Sequence, residues 1–253
     1  MSKTRALLRL SRLALHVGNG LTTLFVQRRK YGEKWFDHET GKQAISHWAD
    51  RFCRIIGVEV QARGQTEHDA NLIVANHISW LDVPVLASHL PMCFIAKQEI
   101  RHWPVIGGLV SQAGTLFIER ESRSILGPLL ANMENRFAGQ ARLALFPEGT
   151  TSDGSNVRRF HSALFQACAG KPCMIQPLAI RYCDKDDSHF EAPWINNEKF
   201  FPHLWRILQR KQTRVRVDLL PAISTENKGR QELAMMCHML ISTKFPRVEQ
   251  EVA

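Results

Sequence analysis

The sequence predicts an α/β fold, with a mixed, largely parallel central sheet covered by helices and an N-terminal helical hairpin in front of it. Three features predict this. From Leu13 to Val26 the chain carries no Asp, Glu, Lys or Arg. From Lys42 to Ile56 the residues Ala44, Ile45, Trp48, Phe52, Ile55 and Ile56 fall on one helical stripe, and Gly57 stands where that helix should stop. After Gly57, short apolar runs alternate with helical segments, the pattern of strands joined by covering helices.

The first helix is too short in apolar residues to span a bilayer, which takes about 20. Arg5, Arg9 and Arg12 precede its uncharged stretch and Arg28, Arg29 and Lys30 follow it. An interfacial or partly inserted helix fits that pattern, and a helix packed on its own domain fits it too. No small-residue cleavage site follows, so a signal peptide is not expected. The expected division is a membrane-associating hairpin over residues 1–57 and an α/β domain over 58–253.

Within the second unit the expected strands are Val58 to Ala62, Leu72 to Ala75, Cys93 to Ala96, Thr115 to Ile118, Arg142 to Phe146, Met174 to Ile180 and Val215 to Leu219. Helices are expected near Ser79 to Ser88, Ser122 to Phe137, Phe160 to Ala169 and Glu226 to Lys244. The polar stretch Asp184 to Phe201, with Pro193, Asn196 and Asn197, reads as an irregular surface loop. Ligands of such a fold gather beyond the carboxyl ends of its strands.

With 44% hydrophobic and 23% charged residues, the chain has ample material for a core and is not disordered. A formal charge of +9 favours anionic partners: phospholipid headgroups, nucleic acid or phosphorylated substrates. Cys53, Cys93, Cys168, Cys173, Cys183 and Cys237 form no C-x-x-C pair and have no His at metal-ligand spacing. They read as reduced, mostly buried thiols of a cytosolic compartment, without a metal site.

Three clusters carry chemistry. Asn76-His77-Ile78-Ser79-Trp80-Leu81-Asp82 follows a strand-like run and opens a helix, where α/β enzymes display reactive groups. Positions five apart on an ideal helix differ by about 140°, so His77 must sit in the turn and fold its ring back to meet Asp82. Asp82 would then hold one ring nitrogen protonated and leave the other to take a proton from a hydroxyl. The same residues spell S-x-x-D, and Asp82 as a plain helix cap is the competing explanation.

Gly114 to Arg123 forms a strand ending in Arg120 and Arg123, whose guanidinium groups could clamp a phosphate; Lys97 ends another strand and adds charge to the same edge. Solvated cations paired with Glu99, Glu119 or Glu121 explain these residues equally well. Phe146-Pro147-Glu148-Gly149-Thr150-Thr151-Ser152-Asp153-Gly154 follows a further strand, with Gly149 and Gly154 for sharp turns, which plain turn chemistry explains equally well, and Glu148 projecting a carboxylate. Finally, Gln176 to Ile180 holds Pro177 and reads as an edge strand.

In this order the clusters resemble the glycerolipid acyltransferase family, which carries N-H-x-x-x-x-D, G-x-x-F-I-x-R, F-P-E-G-T and then a strand containing proline. All four occur between Asn76 and Ile180. The resemblance implies transfer of a fatty acyl group to the sn-2 hydroxyl of 1-acylglycerol 3-phosphate, giving phosphatidic acid, with His77 as general base, Asp82 supporting it and no covalent acyl-enzyme. It implies that Arg120 and Arg123, with Lys97, bind the acceptor phosphate and that Glu148, Gly149 and Thr150 shape the acceptor site. The donor would be a thioester of coenzyme A or acyl carrier protein, with no cofactor besides this co-substrate and no nucleic-acid partner. The implied location is the anionic cytoplasmic face of the cell membrane, peripheral or monotopic.

Two departures bear on the acceptor. Many members have arginine where this chain has Thr151, and F-K-x-G where it reads Phe160-His161-Ser162-Ala163. Both remove a cation, which leaves another lysolipid, such as lyso-ornithine lipid, as the alternative acceptor. A non-catalytic basic protein of membrane surfaces or nucleic acid would instead bind in a salt-sensitive way that survives loss of His77. No G-x-S-x-G elbow of a serine hydrolase is present.

Overall fold

Gly57 separates helix from sheet, as its place in the sequence predicts. Its φ of 83° puts it in the left-handed region, and its N–H bonds the carbonyls of Arg54 and Cys53 at the end of α2 (Glu39–Ile56). The computed structural model describes residues 2–32, 35–103, 106–118, 126–139, 141–183, 192–196 and 198–245. Helix α1 runs Lys3–Tyr31, well beyond the uncharged stretch, because the Arg and Lys residues at its ends are themselves good helix formers. It packs against α2 as a hairpin: the His16 ring stacks on Trp48 at 4.8 Å, and each residue bonds the other's backbone carbonyl. Among the described residues no helix is long and apolar enough to cross a membrane.

The strands are β1 (Val58–Arg63), β2 (Ala70–Ala75), β3 (Cys93–Lys97), β4 (Leu116–Ile118), β5 (Leu143–Leu145), β6 (Met174–Cys183), β7 (Thr213–Leu219) and β8 (Ile223–Ser224). They form one eight-stranded sheet in the order β1-β7-β6-β2-β5-β3-β4, with β8 also on β6. All pairs are parallel except β6 with β7 and β6 with β8. The sheet is mixed and largely parallel, as expected.

Side chains alternate across β2. Ile73 and Ala75 join an apolar cluster with Leu13 of α1, Cys53 of α2, Val85 of α3 (Asp82–His89) and Ile207 of α6 (Phe200–Gln209). Leu72 and Val74 face the opposite cluster, with Met133 of α5 (Leu126–Ala138) and Cys237 of α7 (Arg230–Ser242). The central strands are therefore covered on both faces.

Several elements differ from expectation. Helix α3 begins at Asp82 and not at Ser79, because residues 78–81 form the turn that carries the site. The helix expected over Phe160 to Ala169 is a short 3-10 stretch, Ala163–Ala167; the His161 N–H is held by the Pro147 carbonyl at 2.9 Å, which keeps the chain off a helical path until Ala163. Helix α4 (Ile106–Gln112), with its two glycines, has poor local propensity and rests on packing. Helix α6 begins inside the stretch expected to be loop, on Phe200 and Phe201.

β6 is a central strand, not an edge. Its Pro177 is tolerated for a local reason. The Pro177 carbonyl accepts from Leu220 N at 3.0 Å, just past the end of β7 and before β8 begins. Its missing N–H faces this gap in the ladder.

Two of the arginines that precede the uncharged stretch of α1 have internal partners. Arg9 donates to the carbonyls of Leu208, Arg210 and Lys211 at 3.2, 2.7 and 3.1 Å, and Arg5 to that of Gln209 at 3.0 Å. These close the open carbonyl end of α6, where positive charge is favourable. Arg9→Ala is expected to destabilise the protein by about 1–2 kcal/mol, the value of a charged hydrogen-bonding group at a helix C-terminus. Urea unfolding of the two proteins measures it.

Candidate active site

The carboxyl ends of β2, β5 and β6 lie on one side of the sheet, and the polar turns after β2 and β5 interlock. β2 ends at Ala75, and the Asn76 side chain continues its ladder: Nδ2 donates to the Ile180 carbonyl at 3.0 Å and Oδ1 accepts from Ile180 N at 2.8 Å. Asn76 thus acts as an extra peptide group, fully buried, and fixes where His77 begins relative to β6.

His77 sits in the turn and its ring folds back, as the spacing requires. Nδ1 lies 2.7 Å from Asp82 Oδ2. The same oxygen accepts from the backbone N–H of Ile78 at 2.8 Å and of Ser79 at 2.9 Å, while Oδ1 accepts from the Tyr182 hydroxyl at 2.6 Å. One carboxylate thus ties the turn ahead of α3 together through its backbone N–H groups and also meets the histidine ring. Because a carboxylate only accepts, the shared proton is on Nδ1, which in the neutral imidazole leaves the lone pair on Nε2.

The loop after β5 grips the His77 peptide from both sides. Glu148 Oε1 accepts from His77 N at 2.9 Å, and Ser152 N donates to the His77 carbonyl at 2.8 Å. Pro147 and Gly149, φ 73°, make the turn that delivers Glu148, closed by Gly149 N to the Phe146 carbonyl at 3.1 Å. The Phe146 ring stacks on His77 with centroids 4.2 Å apart. Burial pushes the Glu148 carboxyl up to about 7; the His77 and Arg158 backbone N–H groups pull the other way and Asp82 adds to the rise.

His77 opens into a cavity of about 1220 Å³. Ile95, Val110, Ile118, Leu126 and Leu164 line its apolar part, and Trp103 and Trp194 also border it. Lys97, Glu99, Asp153, Arg158, His161 and Glu198 bring charge or titratable groups of both signs. Among the residues expected to bind substrate, Lys97, Gly149 and Thr150 line this cavity, whereas Glu148 directs its carboxylate at the His77 backbone. Thr151, where many members have arginine, donates its hydroxyl to the Trp194 carbonyl. Arg120 and Arg123 lie outside the described residues. Tyr182 and Arg158 escaped the sequence. The alternation of Leu178, Ile180 and Tyr182 along β6 is the one signal that a buried tyrosine would need an acceptor on the site's side of the sheet.

The arrangement is a histidine, oriented by a buried carboxylate, on the wall of a partly apolar cavity. Residues 57–181 match the model of the family described as Acyltransferase. A lyso-ornithine lipid O-acyltransferase from Pseudomonas aeruginosa is 33% identical over 95% of this chain and 93% of its own length. The chain belongs to the acyltransferase family. A 1-acyl-sn-glycerol-3-phosphate acyltransferase from Neisseria meningitidis is 36% identical over 70% of each chain. The crystal structure of the 1-acyl-sn-glycerophosphate acyltransferase PlsC from Thermotoga maritima shares the fold, with a TM-score of 0.68 over 95% of this chain and 93% of that one at 18% identity. This acyltransferase is an enzyme of the family that includes the bacterial 1-acyl-sn-glycerol-3-phosphate acyltransferases.

The elevated Glu148 carboxyl makes the fold sensitive to pH. The folded protein holds this proton more tightly than the unfolded chain, so the group's contribution is present below about 4.5 and lost as pH rises through about 7. The stability of the native enzyme minus that of Glu148→Gln is therefore expected to fall across that window and stay level above it. Urea unfolding at a series of pH values measures the difference. A difference independent of pH would contradict the buried-carboxyl assignment.

Proposed function

We propose that this acyltransferase moves a fatty acyl group from a thioester of coenzyme A or acyl carrier protein onto the hydroxyl of a lysolipid, with His77 as general base and Asp82 supporting it. In this scheme the acceptor O–H gives its proton to His77 Nε2 as its oxygen attacks the thioester carbonyl. The tetrahedral intermediate collapses, the C–S bond breaks, and the thiolate takes the proton back from Nε2. A thioester is already activated, so a base and good positioning supply most of what the reaction needs. The Nδ1 contact of 2.7 Å to a fully buried carboxylate supports the base assignment.

The acceptor we favour has a zwitterionic head group, as in a lyso-ornithine lipid. The observation that carries this choice is the mixed charge of the cavity lining, where Lys97 and Arg158 share the wall with Glu99 and Asp153. An ornithine head group offers a carboxylate and an ammonium to such a lining. The Thr151 hydroxyl, turned to the Trp194 carbonyl, adds no cation, and the Pseudomonas aeruginosa relative spans nearly the whole chain. A second acceptor, 1-acylglycerol 3-phosphate, has support in the Neisseria meningitidis relative and in a phosphate clamp made by Arg120, Arg123 and Lys97.

The proposed seat is the cytoplasmic face of the cell membrane, with residues 1–57 against the lipid. Leu7, Leu8, Leu15, Phe25 and Val26 stand exposed along α1, and Arg12, Arg29 and Lys30 share that helix.

His77→Ala and Asp82→Asn are each expected to lower turnover by about 100-fold or more, the scale of general base catalysis, without loss of fold. Asn keeps an oxygen at Oδ2 and can donate to Tyr182, so circular dichroism should match the native protein. Near-native turnover in His77→Ala would refute the base.

The acceptor is decided by offering labelled acyl-CoA and acyl carrier protein thioesters with lyso-ornithine lipid and with 1-acylglycerol 3-phosphate in mixed micelles. Product from lyso-ornithine lipid alone, or much faster product from it, is expected. Product from the phosphate lipid alone would make that lipid the acceptor, and no transfer to either would sink both proposals.

A further inference from the structure

Asp82 has two oxygens, and its own turn uses only one. Oδ2 takes His77 Nδ1 and the N–H groups of Ile78 and Ser79. Oδ1 is held from another part of the chain by the Tyr182 hydroxyl at 2.6 Å, from a residue one position past the span that matches the family model. Both partners are buried, Asp82 at 0% and Tyr182 at 5% exposure, so solvent cannot substitute for the contact. The Tyr182 ring shares its apolar cluster with Leu178 and Ile180, which fixes the line along which its hydroxyl points.

We propose that Tyr182 is a positioning residue for acyl transfer, holding the plane of the Asp82 carboxylate so that Oδ2 stays on His77 Nδ1 and Nε2 stays aimed into the cavity. It touches neither substrate nor histidine and acts through Asp82. With Oδ1 released, the carboxylate can turn about its Cβ–Cγ bond. The oxygen that serves three donors then loses its fixed direction. Tyr182 keeps its own proton throughout: burial and the neighbouring Asp82 charge both raise its phenol well above the usual range, so it remains a donor. The proton that moves passes from the acceptor oxygen to Nε2 and on to the departing sulfur.

This rests on His77 being the base, and the experiment separates the two claims. Full-length native enzyme, Tyr182→Phe and His77→Ala are assayed with acyl-CoA and whichever of lyso-ornithine lipid and 1-acylglycerol 3-phosphate is turned over. Tyr182→Phe is expected to lower kcat about tenfold while both KM values hold within about twofold, the pattern of a contact that matters mainly in the transition state. An inactive His77→Ala beside a fully active Tyr182→Phe overturns the Tyr182 role alone. An active His77→Ala overturns the base and this proposal with it.

A second measurement needs no turnover. The downfield proton resonance of His77 Nδ1–H reports its bond to Asp82 and is expected to move in Tyr182→Phe. The chain has only two tyrosines, so in a Tyr31→Phe background 3-fluorotyrosine labels position 182 alone and keeps the ring in place. Its stronger hydroxyl donor should move the resonance in the opposite direction. A resonance that neither change moves overturns the proposal, even if Tyr182→Phe proves less stable.

Discussion

The carboxylate of Asp82 is the constraint around which the site is built. A buried charge is strongly unfavourable unless nearby donors satisfy it. Asp82 is fully buried and receives His77 Nδ1, two backbone N–H groups and a phenol. Three of these come from its own turn and one from β6, so the carboxylate is satisfied only when β2, α3 and β6 are assembled together. Asn76 enforces that assembly one residue earlier, by bonding the Ile180 backbone in both directions. Satisfying the charge and aiming the histidine are therefore one structural event.

The loop after β5 adds the second constraint. Asp82 sets the direction of the imidazole, while Glu148 and Ser152 hold the His77 backbone by its N–H and its carbonyl. Phe146 covers one face of the ring. These groups can converge because β2 is parallel to β5 and to β6, which brings three carboxyl ends to one side of the sheet. The shared orientation also explains why Glu148, expected at the acceptor, lies beneath the histidine. A carboxyl pushed up to about 7 by burial is poorly placed to act as a standing charge in the cavity.

What the sequence made legible was what lies close along the chain. Short apolar runs located the major strands, Gly57 marked the end of α2, and the spacing of His77 and Asp82 required the folded-back ring. Features set by distant partners were hidden. Tyr182 is 100 positions from Asp82, and nothing beside it signals an ionic acceptor. Pro177 announces a missing N–H, but only the sheet order shows that this N faces the gap between β7 and β8 inside a central strand. Arg9 looks like one more cation beside an apolar stretch until α6 presents its open carbonyls. The S-x-x-D pattern was ambiguous for a physical reason, since one carboxylate both accepts from the Ser79 N–H and meets the His77 ring.

The same distant contacts connect the N-terminal hairpin to the turn that holds His77. Arg5 and Arg9 of α1 hold the end of α6. His203 within α6 accepts from Trp80 Nε1 at 2.9 Å, and Trp80 stands between His77 and Asp82 in the chain. Trp80 also packs on Phe52 of α2 and Phe200 of α6. Burial keeps the His203 imidazole below its ordinary titration range, so its Nδ1 stays free to accept from Trp80 near neutral pH. Arg5 and Arg9 near the start of α1 thus turn inward to the fold while Leu7, Leu8 and Leu15 of the same helix are exposed. A helix arranged this way is docked through Ala6, Leu13 and its two inward arginines on one side and presents apolar surface on the other, and the side it docks braces the turn that holds His77.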